Sequence, residues 1–273
     1  MGVIVNGKEI ALPGLACISW LTDPKLRLQI SDKPDGERDG RPRQAGAWVR
    51  ALVFHSTRGI PGGSDHRPQV IRPGLGPDTD VGERSIRFWS KPGKQAGAHL
   101  IIGFDGVVYC TADLAREATF HVHGAPGING LSIGIELEQG GAAELYDGQL
   151  DAAVLLADAL TRLFGIQRQI PKSYRGRPAV RLANGGKDVV GIYGHRDADS
   201  NRGAGDPGDA FFAKLAAAGY ERFDLDRVED RTTWATRQRD LDIGDDGIPG
   251  AGTVAALRAA GRPSGLWVPR PGD

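Results

Sequence analysis

The chain has 273 residues, with Lys plus Arg and Asp plus Glu both at 34, so it carries no global field to attract nucleic acid or an anionic membrane. Its length exceeds the usual single domain, and one large domain with a small appendage is expected. Forty glycines and seventeen prolines beside 40% hydrophobic residues describe a folded chain with long irregular connections, where function tends to reside. Cys17 and Cys110 are too few for a disulfide framework or a cysteine zinc cluster and are expected as small buried residues. The N-terminal segment lacks a basic region followed by an unbroken apolar run, so no signal peptide is expected. No apolar run approaches the roughly 20 residues that span a bilayer, so no membrane insertion is expected either.

In chain order, VIVNGKEI reads as a short hairpin and SDKPDGERDGRPRQAG as a loop or linker, which makes residues 1–47 an extension ahead of the main domain. The pattern then becomes α/β. Residues 51–54 (ALVF) read as a buried strand, 100–102 and 107–109 as a hairpin across Phe104-Asp105-Gly106, and 133–137 and 189–193 as two further strands. Residues 149–164 place Leu150, Val154, Ala157, Leu160 and Phe164 on one face and end at Gly165, the pattern of an amphipathic helix with a glycine C-cap. A second helix at 209–218 also stops at a glycine, Gly219. Residues 58–97 and 167–188 show no period; loops of that length are tolerated mainly as walls or lids of an active site. After Tyr220 the composition shifts to a polar helical stretch, a DDGIPGAGT turn, a short VAALRAAG helix and an extended tail.

A hydrolytic zinc site needs about three imidazole or carboxylate ligands and an open position for water. His55 follows ALVF and His195 follows VVGIYG, so each ring stands where a strand leaves the core, although a histidine bonded to backbone is the commoner outcome for either alone. Asp206, in Asp-Pro-Gly-Asp ahead of a helix, reads as an N-cap with Pro207 at the first helical position. His99, entering a hairpin strand, reads as packed, and His66 as solvated. His121 and His123 alternate along an extended stretch, so only one of them faces a given cleft. Ser132, Gly134, Glu136 and Glu138 share a strand face opposite Ile133, Ile135 and Leu137. If solvent covers that face, Glu136 is an ordinary carboxylate. If it lines a cleft shared with His55 and His195, Glu136 is placed to act as a base.

Taken in order, LVFHST, AGAHLIIGFDGVVYC, FHVHGAPGINGLSIGIELE and GHRDADSNRGAGDPG resemble the zinc-dependent N-acetylmuramoyl-L-alanine amidases of the type-2 family, whose fold is shared with peptidoglycan recognition proteins. The resemblance covers about residues 50–220. It implies a central mixed β-sheet flanked by helices over a catalytic domain at 48–222. It also implies Zn2+ held by His55, His195 and Asp206, with Glu136 as the base that then protonates the leaving amine. The bond cut would join the lactyl group of N-acetylmuramic acid to L-alanine. The family commonly has a lysine two residues before the aspartate ligand; Ala204 stands there, and Arg202 or the cleft-facing histidine is the expected substitute donor. Gly124 and the spacing to Asn129 and Ser132 favour His123 for that role, leaving His121 and Asn129 toward the substrate.

The segment 223–273 resembles a truncated peptidoglycan-binding helical module, through Gln238, Leu241, DDGIPGAGT and Ala255-Ala256-Leu257. The expected partner is bacterial peptidoglycan, and the expected state a monomer. A cytosolically made amidase with a wall-binding module suits a phage or prophage endolysin released through a holin. A non-catalytic recognition protein and a cytosolic muropeptide-recycling amidase are the alternatives. The intact ligand set argues against the first, the binding module against the second.

Overall fold

The computed structural model describes residues 1–28, 41–42, 49–57, 69–91, 96–123, 126–141, 143–171, 191–199 and 202–223. Six strands form a mixed sheet in the order Gly191–Gly194, Ala51–Ser56, Ser132–Leu137, Leu100–Ile102, Val108–Cys110, Cys17–Ser19. The first four run parallel. Leu100–Ile102 and Val108–Cys110 form the expected antiparallel hairpin, and Cys17–Ser19 lies parallel to its outer strand. Every residue of Ala51–Ser56 is buried, as a strand in the middle of a parallel sheet must be.

Alternation along the central strands separates two faces. Ile133, Ile135 and Leu137, with Leu52 and Phe54, share one apolar cluster with Leu150, Leu156, Leu160 and Phe164 of the helix Asp147–Phe164 and with Phe211 of the helix Asp209–Ala217. The Phe54 and Phe211 rings stand 4.3 Å apart. Each such side chain contributes about 1.5–3 kcal/mol on burial, so this layer anchors the sheet and leaves its other face for Ser132, Gly134 and Glu136. The long helix ends at Gly165 with φ 63°, as its glycine predicts. Its buried stripe includes Ala153 and Leu156, whereas Val154 is only partly buried.

Three expectations need correction. Residues 1–28 are not an extension: Val3, Ile4, Val5, Leu12 and Cys17 belong to the main core, and the backbone N–H groups of Asn6 and Gly7 donate to the Asp113 carboxylate. An isolated two-stranded hairpin is marginal in water, so docking is the stable outcome. Within the region read as unpatterned, Val81–Trp89 is a helix that buries Val81, Gly82, Ile86 and Trp89. Its two turns are too short for a period to show among charged neighbours. The helix after Asp206 begins at Asp209 with Gly208 at the cap, and no side chain caps it, so Asp206 and Pro207 are freed from the capping roles assigned above.

His99 is packed as expected: its Nδ1 accepts from the Gly134 N–H at 3.0 Å, and its Nε2 donates to the Glu117 carbonyl at 3.0 Å. Cys17 and Cys110 are buried free thiols, pushed up by burial to about 11 and about 12. No helix among the described residues is long and apolar enough to cross a membrane. His66, Gly124 and the segment 224–273 lie outside the described residues.

Candidate metal centre and active-site cavity

The parallel register assembles the site. Glu136 is the direct neighbour of His55 across the strand pair, and Gly194 is the neighbour of Phe54, so His195, one residue on, emerges beside His55. All three leave the carboxyl ends of adjacent parallel strands, where α/β sheets form their binding crevices. His195 opens a single helical turn, His195–Ala198. The loop that follows returns Asp206 to the strand end. There its Oδ1 accepts from the Ser56 N–H at 2.9 Å, while the Ser56 hydroxyl donates to the Gly205 carbonyl at 3.1 Å. Arg196 ties the loop down, donating to the Ala204 carbonyl at 2.6 Å and pairing with Asp209 at 2.8 Å.

His55, His195 and Asp206 are buried, with one donor atom from each lying within 4.8 Å of the others. The Nδ1 atoms of His55 and His195 are 2.8 Å apart, and His195 Nδ1 is 3.3 Å from an Asp206 carboxylate oxygen. Zinc–ligand bonds near 2.0–2.1 Å place tetrahedral ligand atoms about 3.3 Å apart, so the His195–Asp206 separation matches that ion, while the two imidazole nitrogens, at 2.8 Å, stand closer than such a ligand pair. Burial, reinforced by His195, His121 and Arg202, holds His55 well below the ordinary imidazole range, in the neutral form that binds metals. For His195, burial works against the charge but is outweighed by Asp206 and Asp199, leaving its pKa raised.

His55, His195 and Asp206 all line a cavity of about 630 Å³. Glu136 is half-buried on its wall, which settles the choice between solvent and cleft in favour of the cleft. Arg202 also lines it, its Nε 3.3 Å from His195 Nε2 and 3.9 Å from an Asp206 oxygen, so the guanidinium borders two of the three donors. Phe88, Trp89, Phe104 and Phe120 supply the apolar wall.

The two neighbouring histidines depart from the expectation that only one faces the cleft. Both line the cavity, because residues 120–123 form no regular strand and the two-residue period does not hold. His121 is 7% exposed with Nδ1 3.1 Å from His55 Nε2, whereas His123 is exposed at the wall, edge-on to Phe120. The position beside the centre therefore belongs to His121, not to His123 as expected. Asn129 is fully buried and absent from the cavity lining. Its Oδ1 accepts from the His121 and Val122 N–H groups and its Nδ2 donates to the Val122 carbonyl, so it shapes the chain that carries His121 instead of meeting substrate.

Sequence reasoning missed Glu138. Its carboxylate accepts from the Thr79 hydroxyl at 2.5 Å, Arg84 at 2.6 Å and the Phe104 N–H at 3.1 Å, which fastens the helix Val81–Trp89 to the rim of the cavity. Burial raises its pKa against these partners. Its place on the Glu136 face was the available signal.

The family model for N-acetylmuramoyl-L-alanine amidases matches residues 45–209. None of the curated proteins matches the chain. Solved structures similar to it include the endolysin N-acetylmuramoyl-L-alanine amidase LysCS from Clostridium intestinale URNW, at 15% identity and TM-score 0.41, covering 78% of this chain and 99% of that one. The ectodomain complex of peptidoglycan recognition proteins LCa and LCx bound to tracheal cytotoxin is similar at 16% identity and TM-score 0.42, covering 76% and 98%. The Staphylococcus aureus hydrolase AmiA, in complex with its ligand, is similar at 14% identity and TM-score 0.36, covering 94% and 90%.

Proposed function

Since the chain belongs to the N-acetylmuramoyl-L-alanine amidase family, we propose that it hydrolyses the amide between the lactyl group of N-acetylmuramic acid and L-alanine in bacterial peptidoglycan, using zinc held by His55, His195 and Asp206. The observation that carries this reading is the convergence of those three buried donors with Glu136 on the wall of the same cavity. Zinc bound there supplies a Lewis acid for the amide carbonyl and lowers the pKa of water.

The chain's own groups do the rest. Glu136, beside His55 on the next strand, takes the proton of the attacking water and returns it to the departing amine of L-alanine. Arg202 adds fixed positive charge where the carbonyl oxygen becomes negative, the place left open by Ala204. The buried Trp89 and Phe120 give the cavity apolar walls, which strengthen both effects by lowering the local dielectric. On this reading the chain acts on the cell wall as a phage or prophage lytic enzyme released at lysis, and residues 223–273 hold it on the polymer by raising its effective concentration there.

Mass spectrometry of digested peptidoglycan tests the reaction. Free stem peptides with N-terminal L-alanine and intact glycan strands are expected, while cut glycans or cut crosslinks would refute it.

A further inference from the structure

The described residues leave the buried Ser132 and the glycine-backed His121 without a role in the reaction above. We infer that Ser132 and His121 form a directional relay that fixes the ring of His55 with Nδ1 bare and aimed at the metal, which makes both of them positioning residues for that ligand. The inference rests on the metal reading proposed above.

The direction follows from hydrogen counting. A serine hydroxyl has one proton to donate, and a carbonyl can only accept. Ser132 Oγ lies 2.7 Å from the Ile128 carbonyl, so its proton points there. Ser132 Oγ must then accept from His121 Nε2, 3.1 Å away, which in the neutral ring places the single His121 proton on Nε2 and leaves Nδ1 bare. His121 Nδ1 lies 3.1 Å from His55 Nε2, so His55 carries its proton on Nε2. A neutral imidazole has one proton, and His55 Nδ1 is therefore the lone-pair atom, on the side where His195 and Asp206 converge.

Three features hold the relay. The His55 and His121 rings meet at 90° with centroids 5.2 Å apart, an edge contact that aligns nitrogen with nitrogen. Asn129 grips the backbone at His121 and Val122. Gly134 clears the space beneath the ring, since a Cβ there would lie 2.5 Å from His121 Cγ. Ser132 is 0% exposed and His121 7%, so water is a poor replacement for either partner. Each His121 nitrogen is engaged, which sets this role apart from the contact with substrate expected of it.

Zinc affinity of the full chain, measured by competition with a chromophoric chelator, tests the relay. Outer partners of metal-bound histidines change affinity about 10–100-fold, so Ser132→Ala and His121→Phe should each weaken zinc binding by at least ~10-fold. Ser132→Thr, which keeps the hydroxyl, should restore it. Affinities of both variants within about twofold of the parent overturn the relay while leaving the metal reading intact. A parent chain that binds no zinc overturns both. Because a variant could misfold, long-range proton–nitrogen NMR on the zinc-loaded parent supplies a second measurement. It should show protonated Nε2 on His55 and His121, and a proton on Nδ1 of either ring overturns the relay.

Discussion

Gly134→Ala should damage the candidate centre from a position that donates nothing to it, two contacts from His55. An added methyl would stand 2.5 Å from Cγ and 2.8 Å from Cβ and Cδ2 of His121. Carbon atoms at rest stay about 3.5–4.0 Å apart, so the ring must retreat by roughly 1 Å. The Ser132 and His55 hydrogen bonds at its two ends, both 3.1 Å, cannot survive such a shift together. Overpacking of this kind costs about 1–3 kcal/mol, and one lost buried hydrogen bond adds about 1–3 kcal/mol. A total near 3 kcal/mol corresponds to a fall in Tm of roughly 6–12 °C for a chain of this size. Thermal unfolding followed by circular dichroism, with and without zinc, gives the measurement, and zinc binding should weaken alongside. Gly130→Ala is the control, because a Cβ there meets nothing within 4 Å. If Gly134→Ala melted within about 2 °C of the parent and bound zinc as tightly, the packing argument for His121 would fail.

Glu136→Gln should retain zinc and lose about 10²–10⁴-fold in kcat, the usual worth of a positioned base; near-parental turnover would place the base elsewhere. Chelation should abolish wall lysis and added zinc restore it, whereas Asp206→Ala, lacking the carboxylate that faces His195, should neither bind zinc stoichiometrically nor recover. Full activity in that variant would remove Asp206 from the ligand set. Deleting residues 226–273 should lower binding to sacculi more than cleavage of a soluble muropeptide, and an equal loss of both would make the tail part of the catalytic fold.

What the sequence disclosed follows the range over which each residue's surroundings are encoded. The strand read at 51–54, the hairpin around Gly106 and the helix ending at Gly165 were legible because a run of apolar residues or a single glycine specifies them locally. Helix Val81–Trp89 was not, because what selects it is non-local: Val81, Ile86 and Trp89 fit against Leu26, Leu28 and Tyr109 from distant parts of the chain. The same division runs through the site. His55, His195 and Asp206 were legible as strand-end and loop residues in a recognisable order, yet Asp206 read equally well as a helix cap until the register placed the Ser56 N–H against its carboxylate. His121 and His123 could not be ranked from a two-residue period, because the chain there is irregular and Asn129 sets its course. Gly134 shows the limit most clearly. In the sequence it is a gap in an apolar strand, and only the ring that lies over it explains why a side chain at that position would disturb His55 two contacts away.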